Sequence, residues 1–181
     1  MKVIVVHGIA DDEKDNPQSP WMFWLKEKLN EKGISCFVSL MPKAWNPNYS
    51  DWKKEFEKIE IDEDDILIGH SAGASFLVRW LGEKDKKVRK LILVAPWKVP
   101  SLEYPKGENE MYNFKINSAI KNNVKDIIIF SSNDEDEEGI ISAKIFEKEL
   151  KGRLVELKNQ GHFDTYSGLK EFSELLEEVL N

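Results

Sequence analysis

The sequence predicts an α/β fold in three layers, a mostly parallel six-stranded sheet with helices on both faces. Two observations predict it. Short β-branched runs alternate with helical patterns along the chain. The runs are also apolar at nearly every position instead of every second one, as strands covered on both faces require. Length adds a third: 181 residues fit a single domain over residues 1–181, whereas two domains would each have a marginal core.

Val3–Val6 reads as the first strand. Ser19–Lys32 reads as a helix, with Trp21, Trp24, Leu25, Lys28 and Leu29 on one stripe and Gly33 as its stop. Ile34–Leu40 is a second strand, and Tyr49–Ile59 a helix with Trp52, Phe56 and Ile59 at spacings of four and three. Ile66–Gly69 is a third strand, followed by a helix over Ala72–Glu83 that carries Phe76, Leu77, Trp80 and Leu81 inward. Val88–Ala95 and Val124–Phe130 are the fourth and fifth strands. Glu138–Leu150 is a helix, Leu154–Leu157 the sixth strand, and Leu169–Leu180 a closing helix. Lys98–Asn123, with Pro100, Pro105 and Gly107, breaks the alternation; a short helix is expected at Phe114–Ile120, within a surface excursion or a pocket lid.

Composition excludes several functions. Lys and Arg number 26 against 33 Asp and Glu, a net charge of −7, and such a field repels phosphate backbones. Nucleic acid is therefore not an expected partner. Cys36 is the only cysteine, so no intrachain disulfide forms, which suits a reducing compartment. The apolar runs, Val3–Val6 included, are too short for a signal peptide or a membrane span. A cytoplasmic protein without membrane attachment is expected.

Chemistry concentrates in Ile66-Leu-Ile-Gly69-His70-Ser71-Ala72-Gly73, a strand that runs into G-x-S-x-G and then a helix. A serine hydroxyl is a poor nucleophile unless it is held exposed beside a base. A tight strand-to-helix turn lifts its oxygen above the sheet edge, and glycines two residues to either side let the neighbouring backbone pass. The helix start adds N–H donors for developing negative charge.

With His7-Gly8 after the first strand, Ser132-Asn133-Asp134 after the fifth and Gly161-His162-Phe163 near the end, the chain resembles the α/β-hydrolase superfamily. More narrowly it is similar to the small single-domain serine hydrolases related to retinoblastoma-binding protein 9. That resemblance implies a minimal α/β-hydrolase without a large cap, and a Ser-Asp-His triad in chain order. It places the triad on Ser71, Asp134 and His162, with no metal and no cofactor.

The residues themselves point the same way. Ligands bind at the carboxyl ends of parallel strands, so a base must follow a strand. His7 and His162 qualify, while His70 leaves the serine turn in another direction. His7 stands where the family places backbone oxyanion donors, which leaves His162 as the base. Several carboxylates follow the fifth strand. Asp134 matches the family position, although Glu135 and Asp136 stand where a proline and an apolar residue often follow, and Asp136 remains an alternative. Glu135–Glu138 otherwise read as acidic residues favoured at a helix start. A calcium loop fails, because the twelfth position from Asp134 is Ile145.

The oxyanion donors are expected from the backbones of Ala72 and Ile9. Trp21, Trp45, Trp97 and Phe163 are candidates for the substrate wall, which would favour small aromatic or apolar acyl groups. The expected function is hydrolysis of a small-molecule ester, with amide or thioester as variants. The alternative is a protein-binding module with a vestigial site on the same scaffold; a Leu-x-Cys-x-Glu pocket-binding motif is absent around Cys36.

Overall fold

The computed structural model describes residues 1–100, 102, 104 and 106–181, so Ser101, Glu103 and Pro105 of the excursion lie outside the described residues. Its strands are β1 (Val3–Val6), β2 (Cys36–Ser39), β3 (Ile66–His70), β4 (Val88–Val94), β5 (Val124–Ser132) and β6 (Arg153–Leu157). They form one sheet in the order β2-β1-β3-β4-β5-β6, and every pairing is parallel. The helices are α1 (Pro20–Glu31), α2 (Tyr49–Phe56), α3 (Ala72–Lys84), α4 (Lys106–Tyr112), α5 (Ile120–Asn123), α6 (Glu137–Leu150) and α7 (Ser173–Leu180).

Alternate residues of each buried strand face opposite cores. Ile4, Val6, Leu67, Leu91, Leu93 and Ile129 pack with Trp52, Phe56, Phe76 and Phe146 from α2, α3 and α6. Val3, Val5, Ile68, Ile92, Val94 and Phe130 pack with Trp21, Met22 and Leu25 of α1, and with Leu175 and Val179 of α7. Both faces of these strands are buried, which explains the apolar runs. Local chemistry sets the helix ends. Pro20 opens α1, and the Asn48 side chain accepts the Ser50 and Asp51 N–H groups to start α2. Gly33, at φ +74°, follows α1.

Two elements differ from expectation by more than three residues. The excursion holds two short helices, Lys106–Tyr112 and Ile120–Asn123, instead of one over Phe114–Ile120, because Asn117 accepts the Ala119 N–H and donates to the Gly82 carbonyl, making a turn pinned to α3. The last helix begins at Ser173, not Leu169; Phe172 is already in the core as its N-cap.

The order reverses between β1 and β3: the chain leaves β1 outward to β2, then returns on the other side. A crevice opens at the carboxyl ends of strands at such a point. Gly8 and Ile9 follow β1 there, and Ser71 follows β3.

Candidate active site

Ser71 turns the chain from β3 into α3 with φ 51° and ψ −119°, a conformation that residues with a Cβ avoid. Its neighbours hold it there. The Ser71 N–H donates to Val94 O at 3.0 Å, and its own carbonyl accepts the Ala74 N–H at 3.1 Å and the Trp97 N–H at 3.4 Å. The flanking glycines are a matter of space. A Cβ on Gly69 would lie 2.5 Å from Ala74 Cα, and one on Gly73 would lie 2.4 Å from the carbonyl oxygens of Val6 and His7. The start of α3 therefore lies directly against the end of β1. Ala72 heads that helix, so its N–H is among the first four, which have no acceptor within the helix.

The turn after β1 closes on the same point. A Cβ on Gly8 would stand 3.0 Å from Ser71 Cβ and 3.6 Å from its Oγ. His7 fixes this turn from below. Fully buried, it accepts the Met41 N–H on Nε2 at 2.8 Å and so carries its proton on Nδ1, which donates to Gly8 O at 2.6 Å. Burial holds the His7 imidazole down to about 4, against a smaller opposing effect of the Gly8 carbonyl. Ile9 lines the crevice beside Ser71.

His162 lines the same crevice, its side chain 26% exposed. The carboxylate at its Nδ1 is that of Glu135, at 2.9 Å, with a side chain only 2% exposed. The other oxygen of Glu135 accepts the Asp136 N–H at 3.0 Å, so both ends of the carboxylate are held. Asp134, expected in this role, does not meet the imidazole. It is exposed at the turn, where its Oδ1 accepts the Ser132 hydroxyl and, at 2.9 Å, the Gly161 N–H. Those bonds hold its carboxyl below the usual range, that of Ser132 contributing most. Asp134 laces the loop after β5 to the loop carrying His162. Asp136, the alternative, gives its N–H to Glu135 and is not the partner either. The physical reason lies in the turn: Glu135 N–H closes on Ser132 O at 3.4 Å, which turns residue 134 outward and 135 inward.

His70 also joins the assembly. Its Nε2–H donates to the His162 carbonyl at 2.7 Å, so the residue beside the serine anchors the backbone of the imidazole loop. Burial holds His70 down to about 3; the nearby His162 ring adds to this and the carbonyl bond opposes it.

Of the four aromatic candidates, only Trp97 lines the crevice, edge-on to the His162 ring at 5.6 Å. Trp21 and Phe163 are fully buried. The Trp21 indole donates to Phe163 O at 2.7 Å and the Phe163 ring stacks on Phe172, so both support the loop from inside the core. Trp45 belongs to a separate groove with Leu40 and Pro42. The excursion also lines the crevice, through Tyr104, Glu108 and Tyr112.

The crevice encloses about 530 Å³, within the range of small-ligand sites. Asp11, Asp15, Glu108, Asp136 and Asp164 line it, and among the described residues no lysine or arginine does. Cys36 is buried in the second core, its thiol pushed up to about 12 by burial, and is no competing nucleophile. Among the described residues no group of three His, Cys, Asp or Glu side chains could hold a metal ion, and no helix is long and apolar enough to cross a membrane.

A doubly covered parallel sheet, a strained serine after its third strand and a carboxylate-bound imidazole after its last define an α/β-hydrolase. The chain belongs to the serine hydrolase family, whose model matches residues 3–180. It is 28% identical to the serine hydrolase RBBP9 of Rattus norvegicus, over 98% of this chain and 93% of that one. Among solved structures it is similar to the ydeN gene product of B. subtilis, with TM-score 0.87, 20% identity, and coverage of 99% of this chain and 96% of that one. Est1E of Butyrivibrio proteoclasticus shares the fold at TM-score 0.68 and 15% identity, over 98% and 86% of the two chains.

Proposed function

We propose that this hydrolase cleaves small carboxylic esters through an acyl-enzyme on Ser71, with His162 as base and Glu135 as its orienting acid. The observation that carries this reading is the contact of buried Glu135 with His162 Nδ1, on the same crevice as the strained Ser71 turn. A carboxylate there keeps the proton on Nδ1 and leaves Nε2 free to accept the serine proton.

In the first step Ser71 Oγ bonds to the ester carbonyl carbon as its proton passes to His162 Nε2. The carbonyl oxygen becomes an oxyanion held by the Ile9 and Ala72 N–H groups, each worth roughly 3–4 kcal/mol in comparable sites. The imidazolium, stabilised by Glu135, then protonates the leaving alkoxide and the alcohol departs. Water enters, gives a proton to His162, and attacks the acyl carbon; collapse releases the carboxylic acid and restores Ser71.

Five carboxylates around the crevice disfavour anionic acyl groups, and its volume suits small ones. The test is a panel of aryl esters, acyl thioesters and aminoacyl amides, assayed with the wild type and Ser71→Ala. Esters are expected to turn over fastest, and Ser71→Ala to lose at least about 1,000-fold. Esterase activity that survives in Ser71→Ala would overturn the reading; an inert site in the wild type would favour a binding module.

A further inference from the structure

Gly139 stands four residues beyond Glu135, in the first turn of α6, and it is buried. Its backbone is not in the left-handed region, so conformational freedom does not account for a glycine there, and glycine is a poor helix former. Space does account for it. A Cβ at 139 would lie 2.5 Å from Glu135 Cγ and 2.8 Å from its Cδ, distances that real Cβ atoms do not show. It would also stand 3.1 Å from Trp97 Cζ3, on the ring that meets His162 edge-on.

The side chain of Glu135 thus runs through the volume that a side chain at 139 would fill. It has little freedom to retreat, because one oxygen is held by His162 and the other by the Asp136 N–H. We infer that Gly139 is a positioning residue for the acid: the missing Cβ lets a glutamate reach His162, and fixes where its carboxylate stands. A methyl group here would displace Glu135 from one side of the imidazole and press Trp97 on the other. The inference rests on the reading of Glu135 as the partner of His162.

The test is a cycle of wild type, Gly139→Ala, Glu135→Ala and Gly139→Ala/Glu135→Ala, with kcat and KM measured on an aryl ester and Tm on each protein. Gly139→Ala is expected to lower kcat about 100-fold, as angstrom-scale misplacement of a catalytic group does, with KM within about threefold. In the Glu135→Ala background Cγ and Cδ are gone and only the 3.1 Å approach to Trp97 remains, so adding Gly139→Ala should change kcat by less than about twofold and should not lower Tm, alanine being the better helix former. If Gly139→Ala alone fails to fold, the double variant, which lacks the clashing atoms, should still fold. Near-wild-type kcat in Gly139→Ala would overturn the inference, as would an equal loss in both backgrounds or a double variant that fails to fold while Glu135→Ala does. Wild-type kcat in Glu135→Ala would instead overturn the assignment of Glu135 itself.

Discussion

Lowering the pH from about 7.5 to about 5.0 should strip this protein of much of its stability through two histidines outside the proposed chemistry. His7 and His70 are buried and neutral, at about 4 and about 3, against 6.5 for an ordinary histidine. A base whose folded pKa lies below its unfolded one contributes fully above the unfolded value and loses that contribution as the pH falls. Near pH 5 the unfolded chain holds almost one proton on each ring that the folded chain refuses. The gap integrated from 6.5 down to 5 is about 1.5 pH units per ring; at 1.36 kcal/mol per unit this is about 2 kcal/mol each and about 4 kcal/mol together. Glu108 works in the opposite sense, because burial holds its carboxyl above the usual range and its protonation favours the folded state. Its share is smaller at pH 5. Urea unfolding followed by tryptophan fluorescence measures the sum: with a slope of about 2 kcal/mol per M, the midpoint should fall by about 1.5–2 M across that pH range. A midpoint unchanged within about 0.3 M would refute the burial of two neutral imidazoles.

Gly8→Ala places a methyl 3.0 Å from Ser71 Cβ and 3.3 Å from His70 Nδ1. It should lower kcat about 10- to 100-fold while costing about 1–3 kcal/mol of stability, read by steady-state kinetics and urea melts. The carboxylates around the crevice predict that a trimethylammonium-bearing aryl ester outpaces its sulfonated counterpart in kcat/KM, and that the ratio shrinks between about 20 and about 500 mM salt. Equal rates at low salt would show that those charges do not reach the substrate.

The layers of the fold were legible in the sequence because the strand runs are apolar on both faces, and a sheet packed on both sides leaves few other arrangements. Ser71 was legible for a related reason: two glycines and a serine at that spacing describe a turn whose atoms nearly touch β1. The acid was not. Asp134 and Glu135 are adjacent carboxylates, and which one enters the core depends on a four-residue turn that sends successive side chains to opposite sides. The shorter aspartate, nearest to the expected pattern, ties its own loop to the one carrying His162, while the glutamate reaches inward past Gly139, where a Cβ would clash with it. A glycine four residues after a glutamate, early in a helix, was the available signal. Trp21 and Phe163 misled because residues near a site also hold up its loops; their hydrogen bond lies beneath His162, not in the crevice. The wall made by Tyr104, Glu108 and Tyr112 lay in the one segment without clear periodicity.

The rate of labelling by a fluorophosphonate probe tests the central claim most directly. Ser71→Ala should take up no label, His162→Ala and Glu135→Gln should label at least about 100-fold more slowly than the wild type, and Asp134→Asn should label within about threefold of it. Wild-type labelling in Glu135→Gln together with a severe loss in Asp134→Asn, or any adduct on Ser71→Ala, would contradict the account.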